Sequence, residues 1–329
     1  MIGKIKKAIK NPKMAFQKIS TKISLKQRNL PHLVQQMALT GERTDECLAK
    51  GALPMLVHFY SPVPDIPDLQ ARHVFSKKSE LKGIDFREQE QVKLMLELGK
   101  KFGKECDWPV EAADREEEYY IKNDSFSFGC ASALHSMIRN YKSANIIEVG
   151  SGFSSRVISQ ALSLNQNEGH KCNYEIIDPY PNEIIQHKLA NVSRVNKNRV
   201  EVVSPEVFDR LKENDILFID SGHTVRIGGD VNFLYLDILP RLSKGVVIHI
   251  HDISLPYEYG EVYYTNPGFR VFWTEAYLLQ AFLAFNNSFE VLLGMNYLQV
   301  EHSDAFRQAF PMFQPGYAGS GSFWMRKVK

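Results

Sequence analysis

The chain is predicted to adopt an α/β fold: a doubly wound, mostly parallel sheet of seven strands preceded by a helical and loop extension. Three observations predict it. From residue 130 onward, short β-branched runs alternate regularly with helical patterns, as expected of parallel strands joined by crossover helices. The first of these runs leads straight into a glycine turn, Gly150-Ser151-Gly152. The last two runs lack a helix of normal length between them and are joined by a link rich in Pro and Gly, so they are inferred to be a closing pair that runs antiparallel.

Composition agrees with a globular protein. The 329 residues carry 40 Lys+Arg against 38 Asp+Glu, with 44% hydrophobic and 24% charged residues. No stretch approaches the roughly 18 consecutive apolar residues that a membrane span requires, and the N-terminus has no apolar signal core. Cys47, Cys106, Cys130 and Cys172 show no paired spacing, which argues against a disulfide framework or a zinc module and for a reduced, cytoplasmic setting. The near balance of charge argues against a nucleic-acid partner. It is nevertheless uneven, because residues 1–28 hold nine Lys/Arg and no acid, leaving 31 basic against 38 acidic residues in the remainder.

Taken in order, residues 1–30 form a basic arm in which Ile2, Ile5, Ile9, Phe16, Ile19 and Ile23 recur at helical spacing between lysines, with a break at Pro12. Two readings stand: docking at the inner face of an anionic membrane or on an acidic partner, or a solvated terminal helix packed on its own domain. Residues 31–129 form the helical and aromatic-loop extension. Within it, PMLVHFYSPVPDIP (54–67) is held extended by its X-Pro steps and reads either as a lid or substrate wall or as a packed connector. Residues 87–104 read as a helix, and REEEYY (115–120) as a solvated face.

Residues 130–329 form the alternating α/β domain, the expected seat of any catalytic site. Its strands are expected at 145–149, 174–178, 199–203, 215–220, 246–251, 289–293 and 322–328, with helices at 154–165, 182–192, 205–213, 228–242 and 269–286. In such a sheet, ligands sit beyond the carboxyl ends of the strands. The first strand ends in Glu148-Val149-Gly150-Ser151-Gly152-Phe153-Ser154-Ser155, where the glycines allow a tight turn and close backbone approach. Ser155 stands where a dinucleotide fingerprint has its third glycine, Glu148 precedes the turn, and Asp178 ends the second strand. An acid ahead of the turn suits a ligand with a cationic, amino-acid moiety better than a pyrophosphate, and Asp178 is placed to hold a ribose diol.

On these residues, with Phe218-Ile219-Asp220 and the terminal strand pair, the segment from about 130 to 329 resembles the class I S-adenosylmethionine-dependent methyltransferases, whose sheet is Rossmann-like. The resemblance implies S-adenosylmethionine as cofactor. Glu148, Gly150, Ser151 and Gly152 would border its methionine part, Asp178 its ribose and Ser204 with Pro205 its adenine edge, while Asp220 would line the methyl-donor pocket.

The fourth strand runs into Asp220-Ser221-Gly222-His223 and the fifth into His249-Ile250-His251-Asp252. Neighbouring strands would bring Asp220, His223, His251 and Asp252 to one rim, where two carboxylates and an imidazole suit a divalent metal and a second imidazole can serve as a base. His249 reads as a core or supporting histidine. The pattern resembles the metal-dependent subset that contains the macrolide-sugar O-methyltransferases and the cephalosporin hydroxylase-like proteins. That resemblance implies metal ligation by Asp220, His251 and Asp252 and a base at His223; His251 replaces a glutamate of the subset, which leaves magnesium or a more imidazole-tolerant ion open.

Beyond the fifth strand, PYEYGEVYYTNPG (256–268) interleaves tyrosines and carboxylates in the manner of a sugar-stacking surface, and Tyr257, Tyr259 and Trp273 are the expected substrate contacts; a partly packed loop is the other reading. The wider pattern resembles methyltransferases found with bacterial surface-glycan assembly enzymes. The leading expectation is therefore a sugar O-methyltransferase acting on a polysaccharide or glycan precursor. Alternatives are a metal-dependent hydroxylase or hydrolase on the same fold, or a non-catalytic polysaccharide-assembly component that docks through residues 1–28. A glycan or small-molecule substrate is the expected partner, and a homo-oligomer stands open.

Overall fold

A computed structural model describes residues 30–112, 114–268 and 270–329. The basic arm lies outside the described residues. Contacts divide the chain into two compact units, one formed by residues up to Ser76 together with 260–272, the other by 77–259 and 273–329. The larger unit thus begins well before the expected boundary at residue 130. The reason is burial: Met95, Leu98, Cys106, Trp108, Tyr119 and Phe126 all belong to the main hydrophobic core.

The larger unit contains β1 (Asn145–Val149), β2 (Asn173–Ile177), β3 (Val192–Asn196), β4 (Ile216–Ile219), β5 (Val247–Ile250), β6 (Phe289–Gly294) and β7 (Phe323–Lys327). They form one seven-stranded sheet in the order β3-β2-β1-β4-β5-β7-β6. The first five strands pair in parallel, whereas β7 lies antiparallel between β5 and β6, so the closing pair is as expected. All residues of β4 and β5 are buried, as befits parallel strands covered on both faces. Ile146, Ile216 and Val247 are fully enclosed, and burying a side chain of this size contributes about 1.5–3 kcal/mol.

Helices α1 (Glu88–Phe102), α2 (Phe128–Tyr141), α3 (Phe153–Asn167), α4 (Glu183–His187), α5 (Asp230–Phe233), α6 (Glu275–Leu283), α7 (Met295–Glu301) and α8 (Ser303–Ala309) complete the unit. In α1, Glu88 and Glu90 sit in the first turn and Lys100 and Lys101 in the last, matching the helix dipole. Helix α3 begins at the glycine turn, where the Ser155 hydroxyl accepts the Gly152 amide at 3.1 Å.

Several elements depart from expectation. The third strand is 192–196, not 199–203; the latter contains only a 3-10 turn, Val200–Val202. Helix α4 ends at His187, and Asn191 then adopts φ 64° to turn the chain into β3. The helical run expected at 205–213 is a 3-10 segment, Pro205–Arg210. The helix expected over 228–242 starts as α5, widens to a π turn at Leu234–Ile238 and closes as 3-10 at Leu239–Arg241. Pro240 explains the widening, since its ring crowds the carbonyl of Leu236 and it has no N–H to donate. The link between β6 and β7, expected to lack a helix of normal length, contains two seven-residue helices, α7 and α8. In the 115–120 run the charged residues are exposed or half-buried, but Tyr119 is enclosed and packs against Trp108 at 4.9 Å.

In the smaller unit, helices cover Leu30–Thr40, Thr44–Leu48, Ile66–Ala71 and Val262–Thr265. Asp65 caps the third of these by accepting the Asp68 amide at 3.3 Å. Phe75 and Phe272 pack on Tyr264 at 5.3 and 6.0 Å. No described helix is long and apolar enough to cross a membrane.

Candidate active site

The site lies at the carboxyl ends of β1, β2, β4 and β5. Parallel register sets Val149 beside Ile219 and Ile219 beside Ile250, so the residues that follow these strands converge. Gly150 turns with φ +79°, and a Cβ there would lie 1.9 Å from the Asp220 carbonyl oxygen. Only glycine allows the first turn to pack this closely on the end of β4. At Gly152 a Cβ would meet nothing within 4 Å, because that edge of the turn faces open space. The space is a cavity of about 260 Å³ bordered by Phe126, Ser151, Gly152, Arg156, Asn182 and Asp220.

Glu148 plays a different part from the one expected. It is fully buried beneath the turn rather than facing the cavity, and accepts the hydroxyls of Ser154 at 2.6 Å and Ser155 at 2.8 Å, and that of Tyr174. Burial pushes its carboxyl up to about 7, against the lowering effect of the three hydroxyls. It braces the start of α3 from below. Asp178 does stand at the end of β2, receiving the Ser151 hydroxyl at 2.5 Å and the Tyr180 amide at 2.7 Å. Ser204 is exposed, bonded to Glu206, and does not end a strand; with β3 at 192–196, the residues at that carboxyl end are Asn196 and Lys197.

Beside the cavity, the expected acids and histidines come together. His223 Nε2 lies 3.1 Å from Asp220 Oδ1 and 3.5 Å from Asp252 Oδ2. Donor atoms of Asp220, His223 and Asp252 all fall within 4.8 Å of one another, a spacing that could hold one metal ion. His251 completes the rim: its Nδ1 is 3.5 Å from both Asp220 Oδ1 and Asp252 Oδ1, yet neither ring nitrogen has a hydrogen-bond partner although the residue is buried. A buried imidazole whose Nδ1 faces two carboxylates could join a cation held by Asp220 and Asp252, but the donor atoms that lie together are those of Asp220, His223 and Asp252 rather than the expected set with His251. His223 and Asp252 both have φ 55°, an uncommon backbone state that recurs at functional sites.

His223 is also gripped from behind. Its Nδ1 lies 2.8 Å from Oε2 of Glu275, a fully buried carboxylate, and its carbonyl accepts the amides of Thr274 and Glu275 at the start of α6. The Trp273 ring stands 4.8 Å from the imidazole. Burial works to lower the His223 pKa, but Asp220 and Glu275 outweigh it and hold it up at about 10. Burial opposes ionisation of Asp220 in the same way, and His251 and His223 overcome it, keeping that carboxyl well below the usual range. His249 is core, stacked on Phe218 at 4.1 Å with Nε2 2.9 Å from the Ser322 hydroxyl; burial and His251 push it well below its ordinary value.

Of the expected substrate contacts, Trp273 stands against this constellation. Tyr259 is enclosed, and its hydroxyl accepts the Ala276 amide at 2.9 Å, so it is a prop for α6 rather than a stacking platform. Tyr257 is bonded to Glu301 with Lys78 over its ring at 5.4 Å. Phe126 and Asn182 carry no signal in the sequence, whereas Glu275, like Trp273, is expected from sequence at the start of a helix from which it could face the pocket.

A family profile described as a methyltransferase domain matches residues 147–253, the stretch from β1 through Asp252 and Ile253. An uncharacterized protein of Archaeoglobus fulgidus is 30% identical over 185 residues, covering 54% of this chain and 80% of its own length. The chain belongs to the same family as this archaeal protein, and its sheet carries a methyltransferase domain. Similar solved structures include cmcI with SAH, at 15% identity and TM-score 0.37 over 68% of this chain and 93% of its own. Another is the plantazolicin methyltransferase BamL with a triazolic desmethylPZN analog and SAH, at 15% and 0.38 over 74% and 98%. A third is cmcI with Mg and SAM, at 15% and 0.35 over 68% and 86%. Likenesses this weak bear on neither substrate nor mechanism. The methyltransferase domain of this chain is a doubly wound sheet with a cavity at the first glycine turn.

Proposed function

We propose that the protein is an S-adenosylmethionine-dependent O-methyltransferase acting on a sugar hydroxyl of a glycan or glycan precursor, with divalent-metal assistance. The observation that carries this reading is the double placement of Asp220, which borders the cavity at the glycine turn and also belongs to the His223–Asp252 cluster. A methyl donor in the cavity and an acceptor hydroxyl at the cluster would then meet at one carboxylate. The open edge at Gly152 leaves room for the donor, Ser151 and Asp178 offer a hydroxyl and a carboxylate to its ribose, and the negative rim suits a sulfonium.

Asp220 and Asp252 would hold the cation, with His251 turned toward both. When bound, such an ion lowers the pKa of a nearby hydroxyl. His223 takes the hydroxyl proton on Nε2 while Glu275 keeps Nδ1 protonated and the ring in place. Asp220 and Glu275 together hold the His223 imidazole charged at neutral pH, so taking up the charge of Asp220 by a cation is what would free Nε2 to accept a proton. Ser151, Asp178 and the open edge at Gly152 would hold the donor, which when bound would supply a sulfonium-activated methyl group for the acceptor oxygen, with the sulfur leaving as a neutral thioether. Trp273, with its ring against His223, supports a sugar acceptor, since an aromatic face beside the reacting hydroxyl favours stacking on a pyranose.

Mass spectrometry of glycans from cells with and without the protein tests the reading. A glycan heavier by one CH₂ only when the protein is present is expected; identical glycan masses would contradict it.

A further inference from the structure

Several apolar side chains among the described residues of the smaller unit are exposed. Its helix Leu30–Thr40 buries none of its residues. Leu30, Leu33 and Val34 are 47%, 49% and 43% exposed and fall on one helical stripe. In the following loop the Phe59 and Tyr60 rings, 4.2 Å apart, are 89% and 83% exposed. Exposed apolar side chains scattered singly need no explanation; a bare stripe and an aromatic pair within thirty-one residues do.

We propose that this unit docks on an anionic lipid bilayer through the Leu30–Thr40 stripe and the Phe59–Tyr60 turn, with the basic run 1–28 supplying electrostatic attraction. Charge complementarity selects the occupant. The stripe follows directly on nine Lys/Arg with no acid among them, spread over 28 residues rather than clustered to meet a discrete acidic site. Within residues 30–60 the acids are Glu42, Asp45 and Glu46, off both the stripe and the turn, and Glu46 is already paired with Arg43 at 2.8 Å. Aromatic rings beside aliphatic side chains suit the boundary between headgroups and acyl chains, and basic residues draw them there. The proposal does not rest on the methyltransferase reading.

Flotation of the full chain with vesicles tests it. Binding is expected to vesicles of phosphatidylcholine with 30% phosphatidylglycerol (roughly the anionic content of a charged leaflet), weakly or not at all to phosphatidylcholine alone, with release at high salt. Replacing Lys4, Lys6, Lys7 and Lys10 together by Gln should weaken binding by on the order of tenfold or more. The pair Phe59→Ser and Tyr60→Ser should do the same without moving the melting temperature, because both rings are exposed. Absence of binding, equal binding to both vesicle types, or full binding by the Phe59/Tyr60 variant would overturn the proposal. So would a stable dimer in sedimentation that is lost in the Phe59/Tyr60 variant while vesicles remain unbound, because the surface would then belong to a second copy.

Discussion

Two glycines two residues apart should respond oppositely to the same added methyl group. At Gly150 an alanine meets two penalties. Its φ of +79° is disfavoured for an L-residue by about 1–2 kcal/mol. Its Cβ would also sit 1.9 Å from the Asp220 carbonyl oxygen and 3.0 Å from the Asp220 carbonyl carbon, both backbone atoms that cannot rotate away. Relief requires separating the β1 turn from the end of β4, an overpacking penalty of about 1–3 kcal/mol. Gly150→Ala should therefore destabilise the protein by about 2–5 kcal/mol, roughly 5–20 °C in melting temperature for a unit of this size. At Gly152 φ is 176°, outside the left-handed region, and the added Cβ meets nothing. Gly152→Ala should change stability by less than about 1 kcal/mol, yet project a methyl group into the proposed cofactor space and weaken S-adenosylmethionine by about tenfold or more. Thermal unfolding and calorimetric titration of both variants provide the comparison. An unshifted melt for Gly150→Ala would refute the packing argument, and unchanged cofactor affinity for Gly152→Ala would refute the assignment of the cavity.

Other consequences concern buried charge. Glu148 holds its proton up to about pH 7 in the folded protein against about 4.5 when unfolded. Its contribution to stability is thus full below pH 4.5 and is lost as pH rises through 7, a change of about 3 kcal/mol. Glu148→Gln should remove that part of the pH dependence in urea unfolding, and a variant curve parallel to the parent's would show that the carboxyl does not titrate there. Glu275→Gln keeps the shape but removes the charge behind His223, so the His223 titration followed by NMR should move down from about 10; no movement would exclude the charge of Glu275 as a cause. Asp220→Asn and Asp252→Asn should each weaken binding of manganese or zinc in calorimetry by at least about tenfold, and unchanged affinity would remove that side chain from the ligand set.

Legibility in the sequence followed burial. Strands β1, β4 and β5 are enclosed on both faces, and such strands must be written as apolar runs, so their ends, and with them Asp220, His223, His251 and Asp252, could be located from sequence. Strand β3 lies at the sheet edge with its residues half-buried or exposed, and its sequence Val-Ser-Arg-Val-Asn is less apolar than the Arg-Val-Glu-Val-Val that follows it. The more apolar segment drew the assignment. Glu275 was legible only in part: its place at the start of a helix let it face the pocket, but it reaches His223 across 52 residues of sequence, through the packing of α6, and nothing local to either residue records the contact. Glu148 marked the right turn but the wrong face of it, since sequence cannot show that Ser154, Ser155 and Tyr174 would occupy its carboxylate.

The most direct test of the central claim is calorimetric titration of the full chain with S-adenosylmethionine. Saturable binding of one equivalent, weakened by Asp178→Ala and by Gly152→Ala, is expected. Absence of binding by a folded protein would contradict the assignment of the cavity and the methyl-transfer function built upon it.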